Sequence, residues 1–446
     1  MLLRSRWVLP ITAPPIEDGA VLINNGTIHW VGRWTDLPTV FQHSHIDLGN
    51  AILSPGFVNA HCHLEYTHFA GQLSKPKDFV SWIESILALK SQSTPESGVA
   101  AWYQGYRQLL ETGTTLVADM VSVPEVWSLR RSGIPQPLGP RIRSFFEATG
   151  VLHGLSPETL LESLAQRLQE NRPDSTNDPN NAIEAWPEFG VAPHSPYATL
   201  PAFLKALAQR ARRDQWPLSM HLAESATEFQ RFTQGSGPLY DWLKRFRPLE
   251  ETAHQSPVQY VAALGMLIPQ MLAAHVNYLA TGDAETLGNA QVNVVHCPRS
   301  HAYFNHQAFP IESLTKAGVS VCLGTDSLAS IEVEGIEPPR LSMQAELQCF
   351  LSKNPSIPPS YALKLATLHG AHAMGCPSGE LRAGMWADLI ITPLHSPCVD
   401  PIEAVIHHQG PVSGTIIRGE WLQVDEPPPP PRPSTDQCPH VSSSLQ

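Results

Sequence analysis

No C-x-x-C pair occurs among the seven cysteines, no lysine or arginine run offsets the formal charge of −12, and only 16% of the 446 residues are charged. Each shortage excludes something. An odd number of cysteines, scattered from Cys62 to Cys438, is no disulfide framework and fits buried thiols in a reducing compartment. Without a basic block, the chain has nothing to hold a phosphate backbone or an anionic membrane surface. No uninterrupted apolar stretch is long enough to cross a bilayer. Pro10, Pro14 and Pro15 interrupt any signal-like core behind Arg4 and Arg6. The expectation is a cytoplasmic protein with neither a nucleic-acid nor a membrane partner. A glycine-rich phosphate turn is also missing after every candidate strand, which weighs against an open doubly wound sheet, the alternative architecture.

Proline is plentiful, with 42 residues. Much of the excess lies in connections and in the stretch from Pro427 to Pro433, which with Ser442–Ser444 reads as a disordered tail over 426–446. Residues 1–54 read as short strands. Ala20–Ile23 and Thr27–Gly32 flank Asn24-Asn25-Gly26, a strong hairpin signal. Residues 379–425 return to that style, with a turn and strand over Gly379–Ile391 and a hairpin about Arg418-Gly419. The two ends are therefore expected to meet in one small β-sandwich domain.

Between them, over 55–378, eight short apolar runs alternate with stretches of helical period. The runs are Phe57–Ala60, Thr115–Asp119, Ile142–Glu147, Phe189–Ala192, Leu218–Met220, Met271–Ala274, Val292–Val295 and Val319–Leu323. The helical stretches include Ser81–Leu89, Pro157–Gln169, Leu200–Arg212, Glu228–Phe246, Ser256–Leu264 and Ser360–Met374. Strand alternating with helix implies parallel strands, and eight of them is the count of a (β/α)8 TIM barrel in the α/β class.

In such a barrel the chemistry sits at the C-terminal strand ends. The first strand ends in His61-Cys62-His63, where alternate side chains share a face and two imidazoles can meet one divalent ion. His43 and His45 form a second H-x-H in a polar segment with no strand leading into it, so the spacing alone is weak. The other ends carry the argument: His194 after strand four, His221 and Glu224 after strand five, His275 after strand six, His296 after strand seven and Asp326 after strand eight. Burying that many ionisable groups at one rim costs several kcal/mol each unless they are paired or bind metal.

This order of residues resembles the amidohydrolase superfamily, in the branch of cytosine, guanine, S-adenosylhomocysteine and aminodeoxyfutalosine deaminases and s-triazine chlorohydrolases. The motifs are Pro55–His63, His221-Leu222-Ala223-Glu224 and Gly324-Thr325-Asp326-Ser327, and the resemblance covers nearly the whole chain. It implies His61, His63, His221 and Asp326 as metal ligands, with Glu224 and His275, alongside Asp326, as catalytic residues and His194 facing the substrate. Three imidazoles and a carboxylate suit one divalent ion, with zinc expected and iron or manganese fitting the same donors. Relatives with two metals bridge them by a lysine at the end of strand four; Gly190–His194 contains none, which implies a mononuclear site. The resemblance also implies a homodimer. His63-Leu64-Glu65 matches the H-x-E half of the cytidine deaminase signature, but no P-C-x-x-C accompanies it. Glu65 stands open between a pocket role and a helix start.

The function these residues imply is an aminohydrolase acting on a small heterocycle, with metal-bound hydroxide attacking the carbon of a cyclic amidine and ammonia leaving. Glu224 would protonate the ring nitrogen, Asp326 would take the proton of the attacking water, and His275 would hold the developing charge. A 6-aminopurine nucleoside of the aminodeoxyfutalosine or S-adenosylhomocysteine/methylthioadenosine kind is the leading substrate. Guanine- or s-triazine-type deamination, halide displacement and ring-amide hydrolysis are the alternatives, and a non-catalytic scaffold would have lost ligands that this chain retains. Tyr197, Trp82 and Arg299 join His194 as candidate substrate contacts, and the run His301–His306 is expected to shape the pocket.

Overall fold

The computed structural model describes residues 1–132, 139–149, 156–170, 186–249, 254–333, 335, 338–395 and 400–422. The proline-rich tail expected from residue 426, together with Cys398 and Cys438, lies outside them. Among the described residues, no helix is long and apolar enough to cross a membrane.

The N-terminal segment forms β1 (Leu2–Val8), β2 (Ile16–Asn24), β3 (Thr27–Arg33), β4 (Ile46–Asp47) and β5 (Ala51–Pro55). Asn25 and Gly26 both take positive φ, 47° and 74°, which closes the β2–β3 hairpin where the Asn-Gly pair predicts it. Eight strands then follow in the central segment: β6 (Phe57–Cys62), β7 (Thr114–Val121), β8 (Arg141–Ala148), β9 (Phe189–Pro193), β10 (Ser219–Leu222), β11 (Leu272–His275), β12 (Asn293–His296) and β13 (Ser320–Leu323). Each corresponds to one of the eight apolar runs, displaced by no more than a residue or two at the ends. They pair in parallel as two four-stranded sheets, β6 to β9 and β10 to β13. Single parallel bridges join the sheets at both seams, Val191 to Leu218 and Cys62 to Asp326.

The runs are apolar throughout because both faces of these strands are covered. Val58, Ala60, Leu116, Ala118, Met120 and Val295 pack together in one cluster. Their neighbours Val117, Val121 and Val294 pack in another, with helix residues Trp102, Leu109, Phe203 and Leu207. Alternation along each strand thus separates an inner from an outer layer.

Two expected helical stretches are broken. Glu228–Phe246 divides into Ala226–Gln234 and Pro238–Leu243, because Gly235 and Gly237 take φ of 61° and 98°. Ser360–Met374 divides into Pro359–Leu365 and Leu368–Ala373.

The C-terminal segment supplies β14 (Leu389–Pro393), β15 (Gly414–Ile417) and β16 (Glu420–Trp421). β14 pairs antiparallel with β5, Leu389 opposite Pro55, so both chain ends share one eight-stranded sheet. That sheet is tied to the parallel core by one buried ion pair. Arg141 Nε lies 2.7 Å from Asp388 Oδ2, its guanidinium is 3.8 Å from the Trp386 ring centre, and Asp388 Oδ1 accepts the Arg418 N–H at 2.8 Å. Asp388→Ala leaves the Arg141 charge buried without its partner, and a loss of about 3–5 kcal/mol in unfolding free energy is expected. A urea midpoint within experimental error of the parent would refute this.

Candidate active site

The C-terminal ends of the parallel strands bring their polar residues to one rim. Donor atoms of His61, His221, His275 and Asp326 all lie within 4.8 Å of one another, and all four residues are buried. His63 adjoins them: its Nε2 is 3.3 Å from His221 Nε2 and 3.7 Å from Asp326 Oδ1. His61 Nε2 is also 3.7 Å from Asp326 Oδ1.

The backbone is bent to achieve this. Ala223, His275 and Asp326 take φ of 50°, 73° and 54°. For residues with a side chain, such conformations cost about 1–3 kcal/mol each, and they persist where the surroundings over-determine them. Here the surroundings are hydrogen bonds. The Thr325 and Asp326 N–H groups both donate to the His61 carbonyl at 3.0 Å, and Asn59 pairs with Thr325 through Nδ2 and Oδ1. Glu228 accepts the Ala223 and Glu224 N–H groups at 3.1 and 2.7 Å.

The residues fit a divalent ion. Both ring nitrogens of His61, Nδ1 of His63 and Nε2 of His275 are buried without a hydrogen-bond partner, a costly state for imidazoles with no other role. His221 Nδ1 meets the His194 carbonyl at 2.9 Å, which assigns the proton to Nδ1 and leaves the Nε2 lone pair turned toward His63. Burial, reinforced by repulsion from His61, lowers the pKa of His63 and His221, and burial lowers that of His275. All three are therefore neutral, the form that ligates metal. Burial alone would raise the Asp326 carboxyl, but His61, its Nε2 3.7 Å away, with His275 and His63 holds it well below the usual carboxylate range. Ser300 and Ser330 hydroxyls donate to its Oδ2 at 2.7 and 3.0 Å.

Glu224 behaves in the opposite way. Burial first, then Asp326 and Glu228, push its carboxyl well above the ordinary value. Its Oε1 lies 3.8 Å from His275 Nε2. One rim thus carries two carboxyl groups whose pKa values the surroundings push in opposite directions, Asp326 down and Glu224 up.

The four candidate substrate contacts divide. His194 stacks on His221 with ring centres 4.6 Å apart, and buried Tyr197 lies 6.2 Å beyond it. Trp82 packs against Phe79 and Phe304 and donates to the Ala329 carbonyl at 3.3 Å. Arg299 is not brought to this group; its Nε lies 2.5 Å from Glu346 Oε1 and its N–H donates to Oε2. Glu65 accepts the Ser122 and Val123 N–H groups, so it clamps the turn after β7. His306 meets the Tyr278 hydroxyl at 3.2 Å.

Sequence reasoning missed Ser300, Ser330 and Glu228, which position Asp326 and the turn at Glu224. It also missed Glu147, whose carboxylate lies with nitrogens of His194 and His221 inside a 4.8 Å group. The available signal was the glutamate that closes the third apolar run.

Eight parallel strands whose ends bring metal-competent donors to one rim make this an α/β scaffold built around a candidate metal site. Residues 52–422 match the model of the amidohydrolase family, and the chain belongs to that family, as a hydrolase of carbon–nitrogen bonds. It is 29% identical over 431 residues to a 5-methylthioadenosine/S-adenosylhomocysteine deaminase of Nitratidesulfovibrio vulgaris, covering 92% of this chain and 88% of that protein. Its fold is similar to that of Helicobacter pylori aminofutalosine deaminase in complex with methylthio-coformycin, with a TM-score of 0.77 and 21% identity over 95% of this chain and 100% of that one. It is also similar to that of a Xanthomonas campestris adenosine deaminase with bound zinc, with a TM-score of 0.75 and 22% identity over 94% of this chain and 92% of that one.

Proposed function

We propose that this protein deaminates a 6-aminopurine nucleoside, replacing the exocyclic amine by oxygen with release of ammonia. One observation carries the reading: the donor atoms of His61, His221, His275 and Asp326 gather within 4.8 Å of one another, and the Glu224 carboxyl lies 3.8 Å from His275 Nε2 at their edge. Glu224 and Asp326 supply what addition of water to a C=N bond requires, an acid for the nitrogen and a base for the water. The deaminases of adenine nucleosides among its relatives support the substrate class.

In this reading His61, His63, His221 and Asp326 hold one divalent ion, with zinc favoured by the donor set. Such an ion, when bound, lowers the pKa of a water molecule and stabilises the negative charge that develops in the reaction. Glu224 gives its proton to the ring nitrogen next to the reacting carbon as that carbon becomes tetrahedral. Asp326 accepts one proton of the attacking water and passes it to the departing amine, and the proton left on the oxygen returns to Glu224 as the C=O bond forms and ammonia leaves. His275 hydrogen-bonds the attacking oxygen, and His194 and Tyr197 wall the ring. In the same reading the two parallel sheets are halves of one closed barrel over 55–378. The shared end sheet over 1–54 and 379–425 is a small β-sandwich domain, and the enzyme acts as a homodimer.

The test is a panel of purines, pyrimidines and triazines read for ammonia, with the metal content of the protein measured in parallel. Release from adenine nucleosides, abolished by a chelator and restored by zinc, is expected. Release from guanine or triazines alone would move the substrate class, and hydrolysis without ammonia would overturn deamination.

A further inference from the structure

The short helix Pro298–Tyr303 begins just after β12, beside the metal-competent cluster, and its first residues are gripped by a buried carboxyl group. That group is Glu346, on the helix Met343–Lys353, and it has no exposed surface. Its Oε2 accepts the Arg299 N–H at 2.9 Å, and its Oε1 accepts from Arg299 Nε at 2.5 Å. The same guanidinium donates from Nη1 to the Arg340 carbonyl at 3.0 Å. Taking an ion pair out of water costs about what the pair returns, so stability alone does not account for this one. What it fixes is geometry. A carboxyl group that holds both the backbone and the side chain of one residue leaves that residue a single placement.

The next residue is Ser300. Its hydroxyl donates to Asp326 Oδ2 at 2.7 Å, and Ser330, at the end of the turn Leu328–Ser330, donates to the same oxygen at 3.0 Å. Two donors fill the lone pairs of that oxygen. The other oxygen, Oδ1, lies 3.7 Å from Nε2 of both His61 and His63. The Asp326 carboxyl is thus divided, with one oxygen anchored by hydroxyls and the other turned to the histidines.

Resting on the reading of Asp326 as a metal ligand, we propose that Glu346 is a positioning residue for the metal site. Through Arg299 it seats Ser300 against Asp326 Oδ2, which leaves Oδ1 to the ion. Partners of this kind orient a ligand without touching the metal, and zinc affinity depends on them.

The experiment is a double-mutant cycle read as zinc affinity, measured by competition with a chelator. Ser300→Ala and Glu346→Gln are each expected to weaken zinc binding by about 10–100-fold, the loss that follows removal of such a partner. The glutamine keeps one acceptor oxygen and meets the second Arg299 donor with an amide NH2. The double variant should bind zinc no more weakly than Ser300→Ala, because Glu346 then has nothing to act through. Circular dichroism checks that each variant is folded. If Glu346→Gln does not fold, Arg299→Lys takes its place in the cycle, since it keeps the charge and loses the planar fork. Parent affinity in either single variant, or losses that multiply in the double variant, overturns the positioning role and leaves the metal site standing. A parent protein that binds no zinc overturns both.

Discussion

Glu224→Gln is expected to lower the turnover of an adenine nucleoside by about 1000-fold, within the range that positioned proton transfer supplies. The metal content should stay at that of the parent. The glutamine keeps the shape and the hydrogen-bonding reach of the acid but has no proton to give. Burial and the nearby Asp326 and Glu228 raise the Glu224 pKa well above the ordinary carboxyl value, which favours the acid form this role requires. Glu224 is three residues beyond His221, on the turn that Glu228 fixes through the Ala223 and Glu224 N–H groups. The substitution keeps both backbone N–H groups, so the turn should stay in place. Single-turnover kinetics with metal analysis checks the expectation. A variant that retains a tenth of parent activity would remove Glu224 from the proton-transfer role.

The second large effect separates ligands from neighbours. Five side chains crowd the cluster, and a mononuclear site with three imidazoles and one carboxylate leaves one histidine over. The tightest grouping contains His275 rather than His63. Yet His63 Nε2 sits 3.3 Å from His221 Nε2 and 3.7 Å from Asp326 Oδ1, whereas His275 Nε2 is 3.8 Å from Glu224 Oε1, on the acid side of the site. His63→Asn is therefore expected to lose most of the bound metal on dialysis, with turnover lost in proportion. His275→Asn is expected to keep about one ion per chain and still lose about 100-fold or more in turnover, as when one donor to a developing oxyanion is removed. Atomic absorption on dialysed protein decides between them. Metal retained in His63→Asn and lost in His275→Asn would exchange the two roles, and two ions per chain in the parent would refute the mononuclear reading.

Much of this was legible in the chain because the physics involved is local. A strand covered on both faces must be apolar throughout, so the eight runs of the central segment stood out and each became a strand. Asn25-Gly26 and Arg418-Gly419 marked hairpins because their positive φ values suit few other residue pairs. Helix interruption was less legible. A helical period runs through Gly235 and Gly237, and only the packed structure shows the chain turning there.

The residue types at the strand ends were determined by the sequence alone: two histidines sharing a face at His61 and His63, single histidines after strands four, five, six and seven, and Asp326 after the eighth. Parallel strand order then puts them on one rim, because every strand of such a sheet ends on the same side. Only the tertiary structure decided which of them meet. Side chains far apart in sequence are related by strand tilt and the loops between, so His221 finds His63 at 3.3 Å while Arg299, at the same rim in sequence, turns to Glu346. Protonation was decided there as well. Glu224 and Asp326 are both carboxylic acids in the sequence; burial beside other carboxylates pushes the pKa of one up, and neighbouring histidines push that of the other down. Charge state depends on neighbours in space, and those neighbours, His61, His63, His275 and Glu228, come from separate strand ends and turns.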